Sequence, residues 1–171
     1  MPVNELLLGD NLEISRVVEA KNVADKLKAR QQTLALAESC TGGYIAHLIT
    51  SQAGSSEYFR GGVVAYSNEI KTNVLQVDEH VIKQYGAVSE AVVEQMAQNI
   101  LSVFNADYGV AVSGIAGPGG GSADKPVGTV WIAVADKNTV AAKCFSFGSI
   151  GRKRVIKQAA AAALKMLYLF I

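Results

Sequence analysis

The sequence predicts an α/β fold: a three-layer α/β/α single domain with a mixed, mostly parallel sheet. Three observations lead there. Strand-like and helix-like segments first alternate, and then three strand-like runs follow one another before a last helix, a pattern that implies a mixed sheet with helices on both faces. The run Val127–Ala135 is apolar on both faces and reads as a central strand. The chain has 171 residues, half of them hydrophobic and only 18% charged, enough for a substantial core in one domain.

In chain order, residues 1–12 show no clear period. Residues 1–13 are set apart as an N-terminal arm or linker remnant and residues 14–171 as the domain, with an edge strand as the other reading of the first stretch. A helix is predicted from about Glu13 to Ala29, because Val17, Ala20, Ala24 and Leu27 recur at helical spacing and basic residues gather at its C-terminal end. Thr33–Ala37 reads as a buried strand, followed by a small polar loop and a helix over Tyr44–Ser51. Ala53-Gly54-Ser55-Ser56 is a turn and Gly61–Tyr66 a second buried strand. Asn68 is expected to cap a short helix to about Leu75, and Asp78 to cap a further turn that Gly86 breaks. Ser89 opens the clearest helix, about Glu90–Phe104, with Val93, Met96, Ile100 and Val103 as its apolar stripe. Tyr108–Ser113 is the third strand, Gly114–Lys125 a glycine-rich loop, and Val127–Ala135 the fourth strand. Asp136-Lys137-Asn138 turns into an antiparallel fifth strand, Thr139–Phe147. The last helix, about Gly151–Leu169, contains five consecutive alanines, Ala159–Ala163, which suit close packing on a sheet or another helix.

Composition removes several functions. A net charge of +1 gives no electrostatic case for nucleic acid or an acidic membrane surface. The two cysteines, Cys40 and Cys144, have no Cys or His at metal-ligand spacing, so no metal site is expected. No basic segment leads into a long apolar run, and no stretch approaches the roughly 20 apolar residues of a membrane span. The cytoplasm is the expected compartment.

The chemistry centres on Ala37-Glu38-Ser39-Cys40-Thr41-Gly42-Gly43. A serine at a strand tip, before two glycines and a helix, sits among backbone N–H groups that can hold a developing oxyanion while it attacks a carbonyl. The competing reading is a serine N-cap with a glycine turn. Beyond the next strand, Tyr66-Ser67-Asn68-Glu69-Ile70-Lys71 places a lysine in the first helical turn. The helix dipole and burial would both lower its pKa, and a neutral lysine can take a proton from serine. Tyr66 can relay or orient that proton; the ordinary alternatives are a solvated lysine and a core tyrosine. His47 and His80 read as structural or solvated, and Cys40 as buried rather than nucleophilic. Gly114–Lys125 matches neither the Walker pattern nor the dinucleotide fingerprint, yet its backbone can face a phosphate or a planar ring. Arg152 is either a phosphate ligand or part of a solvated basic face with Lys153 and Arg154.

These segments, together with Gly86-Ala87-Val88-Ser89, Ser113-Gly114-Ile115-Ala116-Gly117-Pro118 and Lys125-Pro126-Val127-Gly128-Thr129-Val130, stand in an order that closely resembles the CinA C-terminal domain family. This is the competence/damage-inducible protein A family, which includes the PncC-type nicotinamide-nucleotide amidohydrolases. The resemblance covers about residues 14–168. It implies deamidation of nicotinamide mononucleotide to nicotinate mononucleotide and ammonia, with Ser39, Tyr66 and Lys71 as the catalytic residues and no metal or organic cofactor. Thr41, Gly42 and Gly43 would bind at the oxyanion, Asn68, Gly114, Ala116 and Gly117 along the substrate, and Arg152 at its phosphate. One region departs: many members have Gly-Asp-Arg where this chain reads Ile150-Gly151-Arg152, and Ile156 stands where an arginine is often found. A homo-oligomer, dimer or larger, is expected, the alanine-rich helix offering a packing face. The alternative is a non-catalytic module that binds a pyridine nucleotide or serves a partner protein.

Overall fold

The alternation Leu34-Ala35-Leu36-Ala37 decides how the sheet is sandwiched. The computed structural model describes the backbone of residues 3–171 and the side chains from residue 17 onward. Strand β1 (Leu34–Glu38) is buried along its whole length. It pairs in parallel with β2 (Phe59–Val64) on one side and β3 (Tyr108–Gly114) on the other. Strand β4 (Thr129–Ala135) is antiparallel to β3, and β5 (Val140–Ser146) is antiparallel to β4. The order β2-β1-β3-β4-β5 therefore has four strands pointing one way and β4 alone reversed.

Successive side chains leave opposite faces of a strand. Leu34, Leu36, Val110, Val112, Val130, Ile132 and Val134 join one core with α1 (Val3–Arg30), α2 (Tyr44–Thr50) and α6 (Arg152–Phe170). Ala35, Ala37, Ala111, Ala133 and Ala135 join the other with α5 (Glu90–Phe104), beside α3 (Asn68–Asn73) and α4 (Glu79–Tyr85). The first face is bulky, while the fully buried strand residues of the second are alanines, with Trp131 and Val63 at its margins, so α5 lies close on the sheet. Its nearest approach is at Gly109, where an added Cβ would meet the Ala97 carbonyl oxygen and Ile100.

Several boundaries differ from expectation for physical reasons. The second strand begins at Phe59, ends at Val64 and is an edge, half exposed in alternation, because among the described residues no strand pairs with its outer side. The middle of the sheet is β3. Strand β4 is one place off centre, and Val127 and Gly128 stay in the preceding turn, where the Thr129 hydroxyl donates to the Pro126 carbonyl. The backbone is helical from Val3, ten residues before the expected start at Glu13; the arm expected over residues 1–13 falls where side chains lie outside the described residues. Ser67, in extended conformation, caps α3 by accepting from the Ile70 amide, so Asn68 is the first helical residue rather than the cap. Of the five alanines of α6, Ala159, Ala160 and Ala163 are fully buried in the core beneath the sheet, while Ala161 and Ala162 are half-buried.

Candidate active site

Because β1, β2 and β3 run in parallel, their carboxyl ends share one edge and the loops that leave them converge, as open α/β sheets require of a ligand crevice. A cleft of about 240 Å³ lies there. Ser39 and Cys40 reach it from the β1 loop, Tyr66, Asn68 and Lys71 from beyond β2, and Ser113, Gly114 and Ala116 from the end of β3. Ala87 and Val88, ahead of α5, and Arg152, at the start of α6, complete the wall.

Lys71 is 2% exposed, and its Nζ lies 3.1 Å from Ser39 Oγ. It also donates to the Ala65 carbonyl at 2.7 Å. Burial holds its pKa below the ordinary lysine value of 10.5, because a desolvated ammonium is disfavoured. Lys71 stands in the last turn of the six-residue α3, so desolvation rather than the helix N-terminus drives the shift. As an ammonium the group donates to Ser39 Oγ; as a neutral amine it accepts the serine proton along the same line. Ser39 itself is pinned, its amide donating to the Val112 carbonyl and its carbonyl accepting from the Gly42 amide. Cys40 is buried, and burial pushes its thiol up to about 12, so it stays protonated and inert at neutral pH.

The amides expected to form an oxyanion hole are largely taken. Glu38, 2% exposed, accepts from Gly43 and Ile45 on Oε2, both at 3.1 Å, and from Ala46 on Oε1 at 2.8 Å. The Gly42 amide is spent on Ser39 and the Tyr44 amide on Thr41. Gly42 and Gly43 thus act by shape, with φ of 60° and 94°, rather than as donors to a ligand. Among the described residues, the amides of Cys40 and Thr41 have no backbone or side-chain acceptor outside their own residue. The Thr41 hydroxyl is buried without a hydrogen-bond partner.

Tyr66 is 59% exposed, and its hydroxyl accepts from Arg152 Nη2 at 2.6 Å. Arg152 Nη1 donates to the Gly117 carbonyl at 3.0 Å. Ser39 and Lys71 meet directly, and the Tyr66 hydroxyl, at the same cleft, belongs to a brace that joins the β2 loop, the glycine-rich loop and α6. Gly117 takes part through its carbonyl, while Gly114, Ala116 and Asn68 line the cleft. His47 and His80 are exposed on α2 and α4, outside the cleft wall. Among the described residues, no group of three or more His, Cys, Asp and Glu is arranged to hold a metal ion. No helix searched there is long and apolar enough to cross a membrane.

Sequence reasoning missed Glu38 and Ser113. Ser113 is 1% exposed, lines the cleft, and donates to the Ala87 carbonyl, which fixes the Gly86–Ser89 segment as a wall. The signal for Glu38 was a carboxylate just ahead of a glycine turn and a helix without an acidic residue in its first turn.

The model of the CinA C-terminal domain matches residues 18–171. The chain is 49% identical over 152 residues to "Nicotinamide-nucleotide amidohydrolase PncC" of Escherichia coli K12, covering 87% of this chain and 90% of that protein. It is 50% identical over 144 residues to a "CinA-like protein" of Cytophaga hutchinsonii, covering 84% of this chain but only 34% of that longer protein. Among solved structures, the competence/damage inducible protein CihA of Agrobacterium tumefaciens superposes with a TM-score of 0.89 at 38% identity, covering 91% of this chain and 94% of that one. The competence damage-inducible protein A of Klebsiella pneumoniae gives 0.87 at 39% identity, over 90% and 95% of the two chains.

Proposed function

The chain belongs to the CinA C-terminal domain family, and on that premise we propose that it is a serine amidohydrolase that converts nicotinamide mononucleotide to nicotinate mononucleotide and ammonia. The observation that carries this reading is a buried lysine amine 3.1 Å from a pinned strand-tip serine. The name of the E. coli relative supports the substrate. The geometry supports the following order of events. Ser39 Oγ attacks the carboxamide carbon while neutral Lys71 takes its proton. The carbonyl electrons move to oxygen, which accepts from the Cys40 and Thr41 amides. Collapse breaks the C–N bond, and Lys71 returns the proton to the leaving nitrogen, which departs as ammonia. Water then attacks the acyl-serine, giving its proton to Lys71, which restores the Ser39 hydroxyl.

Arg152 is the fixed cation at the cleft mouth and suits the phosphate. Tyr66 orients it and, accepting from Arg152, keeps its own hydrogen for the substrate. Ala87, Val88 and Ala116 offer the flat ring an apolar wall, and Asn68 offers the ribose a polar group. A homo-oligomer in the cytoplasm is part of the same proposal, and sedimentation of the purified protein checks the assembly.

The test is ammonia release from nicotinamide mononucleotide by the wild type and by Ser39→Ala. The expected result is release that falls by about 10³-fold or more in the variant, the scale of losing an activated nucleophile. Equal release by both would remove Ser39 from the mechanism. No release by a wild type that the nucleotide still stabilises against heat would make the protein a binding module.

A further inference from the structure

We infer that Glu38 is a positioning residue for the Ser39 reaction: an internal anion that closes the loop over residues 39–46 and fixes the amides of Cys40 and Thr41 for the oxyanion. This rests on the reading of Ser39 as the nucleophile. Glu38 ends β1, is almost fully buried, and makes no ion pair among the described residues. Three amides converge on its carboxylate from the start of α2. All three are donors, so the group that meets them must accept at both oxygens and donate at neither. Glutamine would turn an NH₂ toward at least one of them. Aspartate is one methylene short of the same reach. Only a carboxylate on this stem satisfies the three contacts together.

The rest of the loop is tied at other points. The Glu38 carbonyl accepts from Ala65, the Ser39 amide donates to Val112, and the Gly42 amide returns to the Ser39 carbonyl. With the Tyr44 amide on the Thr41 carbonyl as a fourth tie, the carboxylate is the fifth, and it gathers three amides from the far side of the turn. Without it the first turn of α2 regains three unpaired donors, and the Cys40–Thr41 peptide planes lose their fixed direction. Donors of this kind act mainly on the charge that develops in the transition state, so their loss lowers kcat far more than it raises KM.

The experiment compares wild type, Glu38→Gln and Glu38→Asp for ammonia release, KM for nicotinamide mononucleotide, thermal shift with the same nucleotide, and the pH profile of kcat. The expected result for Glu38→Gln is a kcat lower by ~10²-fold, the scale of a misplaced oxyanion donor, with KM within about threefold and the nucleotide shift retained. Activity still rises with pH, because the burial that lowers the Lys71 pKa is unchanged. Glu38→Asp, which keeps the charge, falls between the two. An unchanged kcat in Glu38→Gln overturns the inference. So does a matched loss of kcat and nucleotide binding, or failure of both variants to fold, since each assigns Glu38 to the scaffold alone. A wild type that releases no ammonia would instead remove the underlying nucleophile reading, a different outcome from any of these.

Discussion

Lys71 is asked to be a base at a pH where a free lysine is an acid, and burial is what makes this feasible. Its pKa lies below the ordinary 10.5, so activity should climb as pH rises through that lowered value and level off above it. The profile of kcat against pH checks this; a flat profile between mildly acidic and mildly alkaline pH would count against the role. Lys71→Arg keeps the cation but cannot give it up, and it should lose activity by ~10²–10⁴-fold, the range of a general base. The Ser39–Lys71 pairing was legible because both residues follow strand ends in the same sense, which parallel strands bring together. The contact that holds Tyr66 was not legible. Its partner, Arg152, is 86 residues away along the chain, and no local pattern announces a hydroxyl that will be claimed by the start of the last helix. Glu38 escaped notice because its three donors converge only once the glycine turn has closed.

At the scale of elements, the helix-period and strand runs were read in the right order because their periodicities are strong and their breakers well placed. What failed was position within the sheet. Whether GGVVAY is buried depends on its having one neighbour or two, a property of strand order that a local run does not contain. Likewise, the run from Val127 is apolar on both faces because β4 is interior, and interior does not mean middle. The contact of α5 with the sheet is the tightest test of the packing. Gly109→Ala puts a methyl against the Ala97 carbonyl oxygen and the Ile100 side chain, an overpacking expected to destabilise by about 1–3 kcal/mol. Chemical denaturation should show a lower midpoint at unchanged slope. A variant as stable as wild type would mean that α5 can shift away from β3 freely.

Across the whole molecule, the buried lysine is also a liability to stability. The folded form of Lys71 has a lower pKa than the unfolded chain, so between the folded value and 10.5 the unfolded state binds more protons. Stability contributed by this group therefore rises with pH across that window, and the burden of the buried charge is greatest below it. Lys71→Met should remove that dependence and melt higher than wild type at neutral pH while releasing no ammonia; parallel melting curves against pH for the two proteins would argue that Lys71 is charged and compensated in the fold. The same arrangement places the reactive groups at one edge of the sheet, leaving the layers beneath to act as scaffold.

Those layers are unequal. In β1, β3 and β4, Leu34, Leu36, Val110, Val112, Val130, Ile132 and Val134 point to one core, and Ala35, Ala37, Ala111, Ala133 and Ala135 to the other. A large side chain can be exchanged for another of similar volume, but an alanine pressed against a helix backbone has no larger equivalent. A saturation library scored for soluble protein should therefore split by face: the seven leucine, valine and isoleucine positions accepting one aliphatic for another, and the five alanine positions accepting little beyond glycine or serine. On that map a single sheet would carry two different rates of sequence drift, one for each of its faces.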